Sequence, residues 1–287
     1  MTNVVYACCS SKRSKMIIKK TLATLSRGRF KGELIVCVPH EEVDTYKFEL
    51  DADKDNRINI QLIGAPKGQV AQRKYVRSML PEGQRICFMD DDIAAIKVLC
   101  NEELYNVGNI EEVVEYCFNV MPDECLLWGV YPVSNVRWMK NRVSIGNCLI
   151  VGAFYGCINS PELKEVSWES ETEDYFRALG EQQAGRPPMR FEWIGIMTNY
   201  FKNSGGLAPM RKENPAGREK ALEELMTTYP GMIHLRVKRN GLKDVAFDGA
   251  PRRIKSAVLS VSDGSDTEQA SAPSASAQPS PESLTLL

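Results

Sequence analysis

Apolar residues keep two rhythms along the first ninety positions. Mostly apolar runs at residues 4–9, 33–38, 58–63 and 85–89 have the length and content of buried strands. Helical spacing fills the gaps between them. Over 12–25, Ile18, Leu22 and Leu25 mark one face while Lys12, Lys15 and Lys19 mark another. An acidic helical stretch follows the second run, and Gly64 and Gly68 lead into a helix over 70–80. Strands separated by helices and short turns predict parallel βαβ units in an α/β, doubly wound sheet. Ligands of such sheets bind outside the carboxyl ends of the strands.

The pattern loosens beyond residue 100. Helices are predicted at 111–118, 171–179 and 219–227, and strands at 126–132, 147–154 and 232–237. Their Gly- and Pro-punctuated loops suggest a mixed sheet that builds a second substrate's site. No internal repeat is present.

Composition narrows the class. With 287 residues, 43% apolar and 25% charged, the chain is an ordinary globular protein, neither collagen-like nor wholly disordered. No run approaches the ~20 apolar residues of a membrane helix. Nine cysteines lie mostly in apolar runs without CxxC or Cys/His ligand spacing. They are expected to be reduced core thiols in a cytoplasmic protein, which excludes a disulfide framework and a zinc module. The first residues show no basic-then-apolar leader, in keeping with that location.

The net charge of −1 hides an asymmetry. Residues 256–287 are Ser/Ala/Pro-rich, carry four acids and no Lys or Arg, and are expected to be a disordered tail. Without them the body is at +3, with eight basic side chains and no acid in residues 1–31 and seven against two acids in 232–255. Basic ends suit a polyanionic partner, although solvated surface charge explains the counts equally well.

The strongest chemical signal is Asp90-Asp91-Asp92, directly after the apolar run 86–89. Three adjacent carboxylates repel one another unless a cation or hydrogen-bond donors meet them. In an extended segment Asp90 and Asp92 point to one side and Asp91 to the other. Two hard oxygen ligands on one side suit Mg²⁺ or Mn²⁺ with phosphates completing the shell. The competing explanation is an acidic turn that caps the next helix.

FMDDDI after an apolar strand resembles the DxD motif of nucleotide-sugar glycosyltransferases with the GT-A fold. VVYACCSSKRSKMIIKKTLATL is similar to that fold's opening strand, loop and helix, and APKGQVAQRKYVRSML to the helix before the DxD strand. ESETEDYFRAL resembles the later acidic helix start whose last carboxylate is the base of inverting members. These segments fall within roughly residues 4–240. In general character and motif order the chain most resembles the TET-associated DNA glycosyltransferases of phages and the related base J glucosyltransferase.

The resemblance implies a GT-A-like, mainly parallel mixed sheet in one domain over 1–255. Residues 1–100 would bind the nucleotide sugar and 101–255 the acceptor. It implies Asp92 as metal ligand, Asp90 on the metal or the donor ribose, and Asp91 as the least defined of the three. Cys9, Ser10, Ser11, Lys12 and Arg13 would line the nucleotide pocket, with Arg13 near the diphosphate. The acidic base reader falls in Pro39-His40-Glu41-Glu42, with Glu41 the candidate. Gln72 and Arg73 lie on the helix before the DxD strand, where Arg73 could pair with Asp90 or reach the donor, or stand exposed.

Ser170 to Glu173 also fits a helix capping box, which would occupy Glu173 and leave Asp174 as base; Glu173 is the next candidate. His234 matches the late metal-binding histidine of the fold, though a lone histidine is more often structural. Gly205 and Gly206 suit a lid, with Arg211, Lys212 and Arg218 closing over diphosphate or acceptor; an ordinary connector explains them as well. Trp128, Tyr131, Trp138, Phe154 and Tyr155 fall where the acceptor would lie. Each could stack an extruded base, and for each core packing is the simpler role.

The implied reaction is metal-dependent, inverting transfer from a UDP-sugar to a 5-hydroxymethylpyrimidine in DNA. Alternatives are a glycan, lipid or protein acceptor, a nucleotidyltransferase, or a non-catalytic protein that binds nucleotide or DNA.

Overall fold

A computed structural model describes residues 3–164, 172–198, 217–238, 241 and 243–255. The predicted tail, and Gly205, Gly206, Arg211 and Lys212, lie outside the described residues. The first half follows the predicted rhythm. Strands β1 (Val5–Cys9), β2 (Glu33–Pro39), β3 (Asn59–Ala65) and β4 (Arg85–Asp90) pair in parallel in the order β3-β2-β1-β4. Three helical segments connect them: α1 over 14–27, which contains a π turn at Ile18–Leu22, α2 (Val43–Ala52) and α3 (Gln69–Ser78).

The continuous apolar runs are explained by cores on both sheet faces. Tyr6, Cys8, Cys87 and Met89 enter the larger core with α1, α2 and α4 (Ile110–Asn119). Ala7, Cys9, Ile86 and Phe88 enter the other, with Val76 of α3. All nine cysteines are free and buried.

Beyond β4 the sheet turns mixed, and among the described residues eleven strands belong to it. β5 (Ala95–Cys100) and β6 (Glu103–Asn106) form an antiparallel pair, and β5 also pairs with β10 (Met189–Met197). From β4 outward the order is β9 (Phe154–Ile158), β7 (Leu127–Tyr131), β10, β8 (Arg142–Ile145) and β13 (Arg252–Lys255). The expected strand over 147–154 is not formed: those residues are irregular, and pairing with β4 begins only at Phe154. Helices α5 (Glu173–Gln183) and α6 (Gly217–Thr228) pack with the separate hairpin β11 (Ile233–Val237) and β12 (Lys243–Phe247) around Phe176, Leu179, Leu222 and Leu225. Val70 of α3 joins that cluster, so α3 and α5 contribute to one apolar cluster. Among the described residues no helix is long and apolar enough to cross a membrane.

Gly156 shows how tightly β9 meets its neighbours, because a Cβ there would stand 2.2 Å from the buried Trp128 indole. Gly156→Ala is therefore expected to lower stability by about 1–3 kcal/mol in urea denaturation, without loss of the fold.

Candidate active site

β4 delivers Asp90 to the carboxyl edge of the parallel strands, where the chain turns. The strand alternation expected through Asp92 therefore stops at Asp90. Asp91 is turned inward: its carboxylate accepts from the Ser10 hydroxyl and from Arg13 Nη1 at 2.9 Å. The same Nη1 stands 3.5 Å from Asp92 Oδ2, and Thr198 donates to Asp92 Oδ1 at 2.7 Å. Asp90 faces a different set, with Gln69 Nε2 at 2.9 Å and Arg73 Nη2 at 3.4 Å, both on Oδ1. Burial raises both carboxyls, Asp90 well above its ordinary value despite Arg73, and Asp91 to about 6 despite Arg13 and Ser10.

The loop after β1 is held by residues that the sequence pattern assigns to ligand. The Ser10 hydroxyl lies 2.6 Å from the Tyr46 hydroxyl, and Gln72 Nε2 donates to the Ser10 carbonyl at 3.2 Å, so both Ser10 and Gln72 are buried scaffold. Cys9 is buried with its thiol beside Cys37. The acid that organises the loop is Glu42, not Glu41: Glu42 accepts from the Ser11 hydroxyl at 2.8 Å and the Lys12 amide at 2.6 Å, whereas Glu41 is exposed.

Arg73 is not an exposed helix arginine. It is buried and gives one guanidinium to Glu173, Asp90 and the Gly152 carbonyl, the last at 2.9 Å. A second buried arginine, Arg177, reaches Asp174 Oδ1 at 2.9 Å and Glu173 Oε2 at 3.8 Å. Both guanidiniums lie against the Tyr155 ring, at 5.4 Å for Arg73 and 4.2 Å for Arg177. Such desolvated cation–ring contacts help retain two like charges side by side.

The capping-box expectation fails because α5 starts at Glu173 with Thr172 as its N-cap, which puts Glu173 at the first helical position rather than the third. Burial pushes Glu173 upward, but Arg73 and Arg177 outweigh it and hold its carboxyl below the usual range. Asp174 is raised, by burial first and then by the charge of Glu173. Its side chain keeps 29% exposure against 11% for Glu173. The Gly152 amide also hydrogen-bonds Asp174. A Cβ on Gly152 would stand 2.7 Å from Arg73 Nη2 and 2.8 Å from Asp174 Oδ1, so this close approach needs glycine.

The aspartate triplet, Glu173 and Asp174 are thus brought together through Arg73. Five carboxylates, Asp90, Asp91, Asp92, Glu173 and Asp174, meet three guanidiniums, Arg13, Arg73 and Arg177. Carboxyls outnumber guanidiniums here, and burial and repulsion from its neighbouring aspartates raise Asp90. The hard oxygens of Asp90 and Asp92 are of the type that would suit a divalent ion. His234 is not gathered with them. It lies exposed on β11 with Nδ1 at 2.6 Å from Asp248 Oδ1, and among the described residues no cluster of three or more His, Cys, Asp or Glu forms a metal site. Sequence reasoning missed Arg177, Gly152, Gln69, Tyr46 and Thr198, and named Glu42 only as part of the loop over 39–42. Only Arg177 carried a signal, its three- and four-residue spacing from Asp174 and Glu173 on a helix.

No protein-family model matches the chain, and no curated protein is matched by its sequence. Solved structures match it in fold. One is the mannosyltransferase PcManGT from Pyrobaculum calidifontis in complex with GDP-Man and Mn²⁺, at TM-score 0.52 and 9% identity over 79% of this chain. Another is TarS (1–349) from S. aureus in complex with UDP-GlcNAc, at TM-score 0.53 and 9% identity over 79% of this chain. This chain covers 63% and 66% of those two chains. The expected fold class stands: a mixed α/β architecture around a large central sheet, the GT-A fold of these nucleotide-sugar glycosyltransferases.

Proposed function

We propose that this protein is a metal-dependent, inverting glycosyltransferase that moves a sugar from a UDP-sugar to the hydroxyl of a 5-hydroxymethylpyrimidine in DNA. The observation that carries the chemistry is Asp174: a partly exposed carboxylate, raised above its ordinary value, oriented by Arg177 and the Gly152 amide, and linked through Arg73 to Asp90. In this reading Asp174 accepts the proton of the acceptor hydroxyl as its oxygen bonds to the anomeric carbon. The bond from that carbon to the donor phosphate breaks with its electron pair leaving on UDP. Asp92 and Asp90 would hold a divalent metal, which supplies positive charge against the departing diphosphate. Arg13, beside Asp91 and Asp92, is placed to add to that charge. Glu173, clamped by two arginines, keeps those arginines in place and is not the base.

The DNA acceptor is supported by the motif resemblance and by the basic ends of the chain. The test is incubation with Mn²⁺, a panel of UDP-sugars and DNA that contains 5-hydroxymethylcytosine or 5-hydroxymethyluracil, read as nucleoside masses. A hexose-sized gain on the modified base that disappears in Asp92→Ala is the expected result. Release of UDP without DNA modification would move the acceptor to a glycan, lipid or protein. Release of pyrophosphate from a nucleoside triphosphate and a sugar phosphate would instead make the protein a nucleotidyltransferase.

A further inference from the structure

Of the five aromatics that fall in the acceptor half, the fold buries Trp128, Phe154 and Tyr155 completely. Trp138 is different: it is 56% exposed, with Arg137 over its ring at 5.6 Å. Val133 and Val136, in the same loop, are also exposed. This loop, residues 132–141, joins β7 to β8 and is anchored at the catalytic end of the sheet. The Ser134 amide donates to the Ile196 carbonyl at 3.1 Å, and two residues later Thr198 holds Asp92. The Lys140 amide donates to the Glu192 carbonyl at 3.1 Å, which ties the loop's far end to β10.

The loop runs straight into a basic edge. Antiparallel register sets Lys255 opposite Arg142 and Arg253 opposite Ser144, and Ser144 opposite Arg190 in β10. Residues directly opposite in an antiparallel pair project to the same face. That face is the one away from the core formed by Val143, Ile145, Met189 and Phe191. Its acid is Glu192, already engaged by Arg142 at 2.6 Å and Arg190 at 3.0 Å. Arg190 is mostly buried over the Tyr131 ring, so Arg142, Arg253 and Lys255 are left at the outer edge. Among the residues in this register the one carboxylate is already engaged, which leaves that edge positive. The loop adds Arg137 and Lys140 without an acid, both exposed.

We propose that the 132–141 loop and strand β13 form the surface that receives the acceptor strand, with a base stacked on Trp138 and the neighbouring phosphates on Arg142, Arg253 and Lys255. An exposed ring flanked by cations is the arrangement that binds single-stranded or locally opened nucleic acid, because every base offers a π face and every linkage a charge. The inference rests on the DNA-acceptor reading above.

The experiment measures binding of the full chain to a fluorescein-labelled single strand of roughly 20 nucleotides across a salt series, beside UDP affinity and transfer to hydroxymethylated DNA. Trp138→Ala, an exposed position that the fold does not need, should weaken strand binding about tenfold. Arg253→Ala with Lys255→Ala should lower the slope of log affinity against log salt by about 1.4, or about 0.7 for each phosphate that is no longer neutralised. UDP affinity should be unchanged in both. If the unaltered protein modifies DNA while both variants bind and modify it equally well, this surface is wrong and the DNA reading stands. Should the unaltered protein neither bind nor modify DNA, both fall.

Discussion

Asp174→Asn lowers sugar transfer by about a hundred- to ten-thousand-fold, the usual contribution of a positioned general base, while UDP binding persists. The variant keeps the shape of the side chain and an oxygen for Arg177, and it removes one negative charge from beside Glu173. Its stability therefore stays within about 1 kcal/mol of the parent in urea denaturation. The pH profile supplies a second readout. A base acts when deprotonated, and burial together with the charge of Glu173 raises Asp174, so the acidic limb of the rate lies above the ordinary aspartate range. Arg177 pulls in the opposite direction, and Arg177→Met moves that limb to still higher pH. A variant that transfers sugar at the parental rate would take the base assignment away from Asp174.

How much of this was legible in the sequence depends on what hid each element. β1, β2 and β4 announced themselves because both faces are buried and the runs are almost wholly apolar, whereas β3, at the sheet edge, exposes Asn59 and Gln61 in alternation with half-buried Ile60 and Leu62. β10 did not announce itself, since Arg190 and Glu192 interrupt its apolar run. Those charges belong to a set with Arg142 and Ser144, which only the strand pairing assembles. The stretch 147–154 read as a strand because it is apolar, yet up to residue 153 it packs over β7 instead of pairing: a Cβ on Gly129 would stand 2.5 Å from Ile150. The aspartate triplet and the Glu173-Asp174 pair were visible as motifs. The preference for Asp174 over Glu173 as base rested there on a capping box that the observed helix start removes. The surroundings that separate the two, Arg73 and Arg177 meeting on Tyr155 and the approach of Gly152, were not visible, because they are long-range contacts.

Arg73→Met costs about 3–5 kcal/mol, the usual penalty for removing one partner of a buried ion pair. Methionine refills much of the volume but leaves Glu173 facing only Arg177, leaves Asp90 without its guanidinium, and orphans the Gly152 carbonyl. The dependence on pH separates this cause from a packing defect. In the parent, Arg73 and Arg177 hold Glu173 below its ordinary value of 4.5 against the effect of burial. Its contribution is thus fully present above that value and is lost as pH falls through the lowered folded value. Without Arg73, burial dominates, both carboxyls rise, and protonation relieves them. The stability deficit should therefore be largest near neutral pH and shrink as the solution is acidified. Adding Glu173→Gln to Arg73→Met should restore part of the loss, with a coupling of about 0.5–3 kcal/mol between the two positions. If the single and double variants unfold at the same urea concentration, and the deficit does not change with pH, the Arg73–Glu173 pair is not what holds α5 against α3.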